Sequence, residues 1–204
     1  MAGNWPAAFG NSFVMPLSLA DAAARQSWLD PVDHALDGAI AATRDRLGSR
    51  RDTVAGWLHG DPLGHPLHVM LTDVPLGAWT TAMVFDRLAG RSGREPWDAA
   101  ARGAVVIGIV GALASAVAGL ADWHRLAQHE PRRIGLVHGT LNTLGLAAFA
   151  ASWWRRRQPG HGRRSALAGY AIAIAAAQLG GSLVYQHGAG QRGHAVLKAR
   201  EPAA

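Results

Sequence analysis

Three stretches of this chain contain no Asp, Glu, Lys or Arg: Gly103 to Ala121, Ile134 to Trp154 and Ser165 to Gln191. A helix needs about 20 mostly apolar residues to cross roughly 30 Å of hydrocarbon, and each stretch reaches or nearly reaches that length. Buried helices of soluble proteins rarely run so long three times in succession with short polar connections between them. The chain therefore reads as an integral membrane protein whose first partner is the lipid bilayer.

A fourth, less apolar span is predicted ahead of these three. It runs from about Pro66 to Leu88, with Asp73 near its start, Pro75 kinking its first turns and Asp86 near its end. The others run from about Ala99 to Ala121, Arg133 to Trp154 and Ser165 to His187. Short connections between four spans dictate an all-α, up-down-up-down four-helix bundle. Gly111, Ser115 and Gly119 fall four apart, a small-residue stripe that lets another helix approach closely, and Gly135 and Gly139 repeat the spacing. Trp97, Trp123, Trp153, Trp154 and Tyr185 stand near helix ends, as interfacial anchors do. No convincing internal repeat is visible.

Outside the bundle, residues 1–16 read as disordered and residues 17–58 as an amphipathic helical extension. Leu29, Val32, Leu36, Ile40 and Leu47 recur at helical spacing, with Asp33, Asp37, Arg44 and Asp45 on the other face. Ser27 is the expected N-cap and Gly48 the expected stop. The polar face is mixed in sign, which favours packing on the bundle's own loops or on a second copy over lying on lipid. Residues 59–66 form a stiff Pro-containing connection that begins the four-helix domain, residues 59–190. Residues 191–204 are a tail.

The net charge is +6, with Lys198 the only lysine. The basic residues sit mostly at the ends of apolar segments, where orientation signals belong, and no nucleic-acid motif accompanies them. With no cysteine, disulfides, thiolate metal sites and iron–sulfur ligation by this chain are excluded. The first basic residue is Arg25, so the N-terminus lacks the charged start of a signal peptide. Arg155, Arg156 and Arg157 crowd one connection. Their density favours a cytoplasmic location for that face, leaving the opposite face outside. The expected location is a bacterial cytoplasmic (inner) membrane, multi-pass.

That opposite face collects the histidines. Alternation brings together the start of the first span (His65, His68), the end of the second (His124), the start of the third (His138) and the end of the fourth (His187). Imidazole is the commonest protein ligand for metals and the usual axial ligand of haem. His68 and His138 come from diagonal helices and are the first-choice axial ligands, with His65, His124 and His187 as alternates or propionate partners. A metal ion would draw on His65, His68, His138 and His187. An ionisable residue inside a span is a functional candidate by default, so Asp73 is expected to orient an imidazole or relay protons. Asn142, one turn from His138, is a further second-layer candidate. Against these stands the plainer reading, that each histidine sits in the wet interface or bonds a loop carbonyl.

The run LHGDPLGHPLHVMLTDVPLGAWTTAMVFD, followed by AGLADW, RRIGLVHGTLN and GGSLVYQHGAG, resembles a bacterial family of predicted four-helix membrane proteins of unknown function. That family carries a Gly-His-Pro-Leu-His-Pro signature and is sometimes fused to Rieske domains. The resemblance spans about residues 57–190. Val69 departs from it, standing where the family usually has Pro. The resemblance implies a fold more than an activity, and the Rieske association implies a redox partner near the histidine face.

The expected function is a histidine-ligated haem b- or metal-binding electron-transfer component. Its rivals are a non-catalytic membrane scaffold or partner subunit and a proton-coupled carrier using Asp73. Four helices are few for a carrier, so that reading needs a homo-oligomer. No nucleophile–base pair or phosphate loop points to hydrolase or kinase chemistry.

Overall fold

The computed structural model describes residues 19–90, 94–126, 129–158 and 160–189. The disordered start expected for residues 1–16 and the tail expected for 191–204 lie outside them. Seven α-helices are formed in these residues: α1 Leu19–Ala24, α2 Asp30–Arg46, α3 Arg51–His59, α4 Leu67–Ala89, α5 Arg94–Asp122, α6 His129–Arg155 and α7 Arg163–Tyr185.

Helices α5, α6 and α7 are long and apolar enough to cross a membrane. The longest, α5, has 29 residues and so extends about 43 Å at 1.5 Å per residue. Their outer faces expose Ile107, Val110, Leu113, Val117, Leu167 and Ile174. So much contiguous apolar surface suits hydrocarbon and not water. Helix α4 has the length, 23 residues, but Asp73, Asp86 and Arg87 keep it less apolar. The chain is thus an all-α integral membrane protein with three apolar spans.

Helix α4 runs against α5 along most of its length, and α6 against α7. Two antiparallel hairpins result, and they meet across the bundle axis. There Trp79 of α4 stacks on Phe149 of α6 with ring centres 3.9 Å apart and planes 8° from parallel. Ala82, Ala104, Val105, Ala166 and Ala173 complete this core. Small residues bring the helices this close. A methyl at Gly169 would lie 2.9 Å from Phe149 Cδ2, and one at Gly108 would run into the Trp79 indole.

The predicted kink at Pro75 does not break α4, which is continuous from Leu67 to Ala89. Pro75 is buried and its ring faces Gly111, where a methyl would sit 3.1 Å from Pro75 Cδ. Ahead of α4 the chain turns through Gly60 and Gly64, both at positive φ (77° and 70°). At Gly60 a side chain would collide with the His65 carbonyl, so this turn requires glycine.

The extension is not one helix. It divides into α1, α2 and α3, with 3₁₀ turns at Ser27–Leu29 and Gly48–Arg50. Gly48, at φ 54°, ends α2 as its sequence suggests. Ser27 opens a 3₁₀ turn instead of capping α2, whose N-cap is Leu29. Leu29, Leu36 and Ile40 pack on Trp123 and Leu136, as their spacing predicts, but Val32 and Leu47 are exposed. Asp33 is only 2% exposed and so lies on the packed side, opposite to expectation. The reason is a basic partner on the bundle. Asp33 Oδ1 lies 2.9 Å from Arg132 Nε, as an ion pair without hydrogen-bond alignment. Arg132 also donates to Asp37, and Arg133 grips both carboxylate oxygens of Asp30 at 2.7 and 2.8 Å. The first turns of α6 thereby hold α2 down. The extension packs on its own bundle, at the end where α5 finishes and α6 begins.

Candidate functional site

His68 projects from the first turns of α4 toward the end of α5. Its Nδ1 donates to the Ser115 carbonyl at 2.8 Å, with Ser115 Oγ 3.2 Å away. His138 projects from α6 toward α7, and its Nδ1 donates to the Ala176 carbonyl at 2.8 Å. A carbonyl can only accept, so each Nδ1 carries a proton. A neutral ring in that state presents a lone pair at Nε2. The two rings meet at the bundle axis with centres 6.4 Å apart and planes at 87°. The diagonal pairing expected from the alternation of spans is therefore present.

Glycines seat both rings. A methyl at Gly119 would lie 2.9 Å from His68 Cε1 and Nδ1, and one at Gly180 would lie 3.0 Å from His138 Cε1. The stripe Gly111–Ser115–Gly119, read in the sequence as a helix-packing surface, thus also receives an imidazole. The acceptors Ser115 O and Ala176 O are main-chain atoms, and side-chain identities give no sign of them.

Asn142 sits where the sequence places it, one turn along α6. Its amide nitrogen lies 3.0 Å from His138 Nε2 and 3.0 Å from the His138 carbonyl, so it donates to the free lone pair. Asp73 behaves differently. It is exposed on α4, and the imidazole-orienting part expected of it is taken by the two backbone carbonyls. His65 is exposed and turns back to the Leu63 carbonyl at 3.1 Å. His187 is half-buried just beyond α7. His124 falls in the 3₁₀ turn after α5, and its side chain is outside the described residues. Among the described residues, no three of His, Asp or Glu converge as a metal site.

A further histidine, not singled out by the sequence, is buried nearby. His59 of α3 is 4% exposed, and its Nδ1 lies 2.6 Å from Asp122 Oδ1 at the end of α5. The Asp-Trp pair of AGLADW carries the only sequence signal of this contact, and nothing in it points to a partner in the extension.

The opposite end of the bundle holds ion pairs. Arg156 makes a bidentate bridge to Asp86, at 2.8 and 2.6 Å, and also donates to Ser152 Oγ at 3.1 Å. Arg163 joins Asp98 at 2.7 Å and lies 3.7 Å from Asp86. These residues tie together all four long helices. Arg156 was expected to be a topogenic charge, yet its side chain is only 3% exposed.

A model of predicted membrane proteins, DUF2231, matches residues 64–193, more than half of the chain and all four long helices. The chain belongs to the DUF2231 family. The family description names no activity. No curated protein and no solved structure matches the chain.

Proposed function

We propose that this DUF2231 protein is a four-span membrane protein whose His68–His138 pair holds a haem, or failing that a single metal ion, for electron transfer. In this reading α4 is the fourth span, and its Asp86 crosses neutralised by Arg156. The observation that carries the proposal is the separation of the two rings. Two imidazoles that share one metal would lie with ring centres about 6 Å apart once both Nε2 atoms turn to it, with about 2 Å for each bond and about 1 Å more from nitrogen to ring centre. The ring centres are 6.4 Å apart.

The donor set supports haem over a bare ion. Each Nδ1–H is fixed by a carbonyl, the usual outer contact of a metal-binding imidazole, which sets the tautomer and leaves Nε2 as the donor. His68 and His138 would supply the two protein nitrogens that a haem asks for. Zinc ordinarily takes three or four protein ligands. Gly119 and Gly180 let the two imidazoles lie directly against the α5 and α7 backbones. His68 and His138 would hold the group, and Asn142 would release Nε2 of His138 on binding. The group itself would supply one-electron chemistry.

The test is the visible spectrum of detergent-purified protein, oxidised and then reduced with dithionite, after expression with ample haem supply. Sharp reduced bands that vanish in His68→Ala and His138→Ala are the expected result. A flat wild-type spectrum, or bands that survive both substitutions, would sink the assignment and leave a non-catalytic scaffold as the better reading.

A further inference from the structure

We infer that the α4–α5 and α6–α7 hairpins are two copies of one ancestral unit, related by a pseudo-two-fold axis along the bundle, and that the site takes a ligand engaging both imidazoles equivalently. The ligand clause rests on the function proposed above. The repeat does not.

The repeat is visible in who touches whom. Along the axis α4 and α6 meet in three layers: His68 with His138, Trp79 with Phe149, and Asp86 with Arg156. The separation in the chain is the same each time. Within the hairpins the match continues. His68 donates to Ser115 O as His138 does to Ala176 O, both at 2.8 Å. Gly119 seats the first imidazole and Gly180 the second, while Gly108 lies under Trp79 and Gly169 under Phe149. These α5 and α7 partners again keep one constant separation.

Burial follows the same register. Pro75, Trp79 and Ala82 are buried on α4, as are Gly145, Phe149 and Ser152 on α6. Parallel helices of equal rise keep a constant offset by geometry alone. What geometry does not require is the same chemistry at matching layers: an imidazole bonded to a main-chain carbonyl with a glycine beside it, and a glycine under an aromatic ring. Two offsets are needed because the helices differ in length: α5 has 29 residues and α7 has 23. In transporters built from internal repeats the substrate site lies at the interface between the repeats. Here that interface holds the imidazole pair.

The departures are chemical: Ser115 Oγ lies 3.2 Å from His68 Nδ1 where Ala176 offers no hydroxyl, and Asp86 answers to Arg156 with opposite charge. Asn142 faces His138 Nε2, whereas Thr72, its counterpart, turns its hydroxyl to the Val69 carbonyl of its own helix at 2.6 Å.

Two measurements on the full-length protein in detergent test the inference. Nitrogen-15 NMR of labelled histidine in haem-free protein, assigned with His68→Ala and His138→Ala, should show both rings protonated at Nδ1 and bare at Nε2. Different tautomers would overturn the equivalence whether or not haem binds. Haem titration of Gly119→Ala and Gly180→Ala should then give losses of affinity within about threefold of each other in Kd, and the two histidine variants should match in the same way. A difference of about tenfold between the members of either pair would overturn the equivalence while leaving haem binding intact. Matching tautomers in a protein that binds no haem would remove the ligand clause and the function above, but keep the repeat.

Discussion

Arg156 and Asp86 face each other fork to fork, Nη1 to Oδ1 at 2.8 Å and Nη2 to Oδ2 at 2.6 Å, with the side chains 3% and 10% exposed. A charge pair so enclosed is held by its geometry, because neither partner can recover its water if the other is removed. The contact joins α4 to the residue that follows α6, and these two helices have no direct connection in the chain.

Removing one partner should therefore cost far more than removing a surface charge. Asp86→Ala is expected to destabilise the bundle by about 3–5 kcal/mol, and Arg156→Ala by less because Arg163 stays 3.7 Å from Asp86. The paired change Asp86→Leu with Arg156→Met should cost much less than Asp86→Ala. Thermal unfolding in detergent, followed by circular dichroism, measures this. A double variant as unstable as Asp86→Ala would show that the packing, and not the uncompensated charge, sets the cost.

The Trp79–Phe149 layer makes a second prediction. Gly108→Ala drives a methyl into the indole of Trp79, whereas Gly139→Ala meets nothing within 4 Å. Overpacking of this kind costs about 1–3 kcal/mol. The first substitution should lower the unfolding temperature, and the second should leave it nearly unchanged. Equal effects would mean that α4 and α5 move apart freely.

Docking of the extension should depend on acid. The hydrogen bonds from the Arg133 guanidinium hold the Asp30 carboxyl below the usual carboxylate range, with smaller help from His129 and His34. A depressed folded pKa stabilises the docked form above the ordinary carboxylate value, and that contribution is lost as pH falls through the lower folded value. Amide hydrogen exchange in α1 and α2, taken relative to the intrinsic rate at the same pH, should therefore quicken as the pH drops below about 4. Asp30→Asn should quicken it already at neutral pH. Exchange that is unchanged in this variant would place the hold elsewhere, on Asp33 and Asp37.

At Gly60 the turn itself is at stake. Gly60→Ala sets a methyl against the His65 carbonyl at a backbone φ of 77°. Strain of about 1–3 kcal/mol is expected, together with displacement of α3 and hence of the His59–Asp122 contact. Tryptophan fluorescence from Trp57 and Trp123 would report it, and an unaltered emission spectrum would argue against it.

Much of this architecture was written plainly in the sequence. The charge-free runs mark α5, α6 and α7 because hydrocarbon tolerates few charges, and alternation of the spans was enough to place His68 opposite His138. The division of the extension was harder to see. Periodicity at Leu29, Leu36 and Ile40 runs on through the 3₁₀ turns, and the buried side of Asp33 is set by arginines about a hundred residues away. Asp73 was read as reaching inward on account of its cost in a span, but it lies on the outer face of α4, where its depth relative to the headgroups decides that cost. The duplication escaped sequence inspection for a physical reason. Helix packing constrains volume and closeness, so Trp79 answers to Phe149 and Ser115 to Ala176 without identity, and unequal helix lengths shift the register between the two halves.

Both ends of the bundle are stoppered. The extension, pinned by Arg132 and Arg133, lies over the histidine end, and the Asp86–Arg156 bridge with Arg163 and Asp98 closes the other. A group held by the two imidazoles as proposed would then come sideways, between helices and out of the lipid itself. Its solubility in oil and the composition of the surrounding bilayer would govern its supply more closely than its concentration in water.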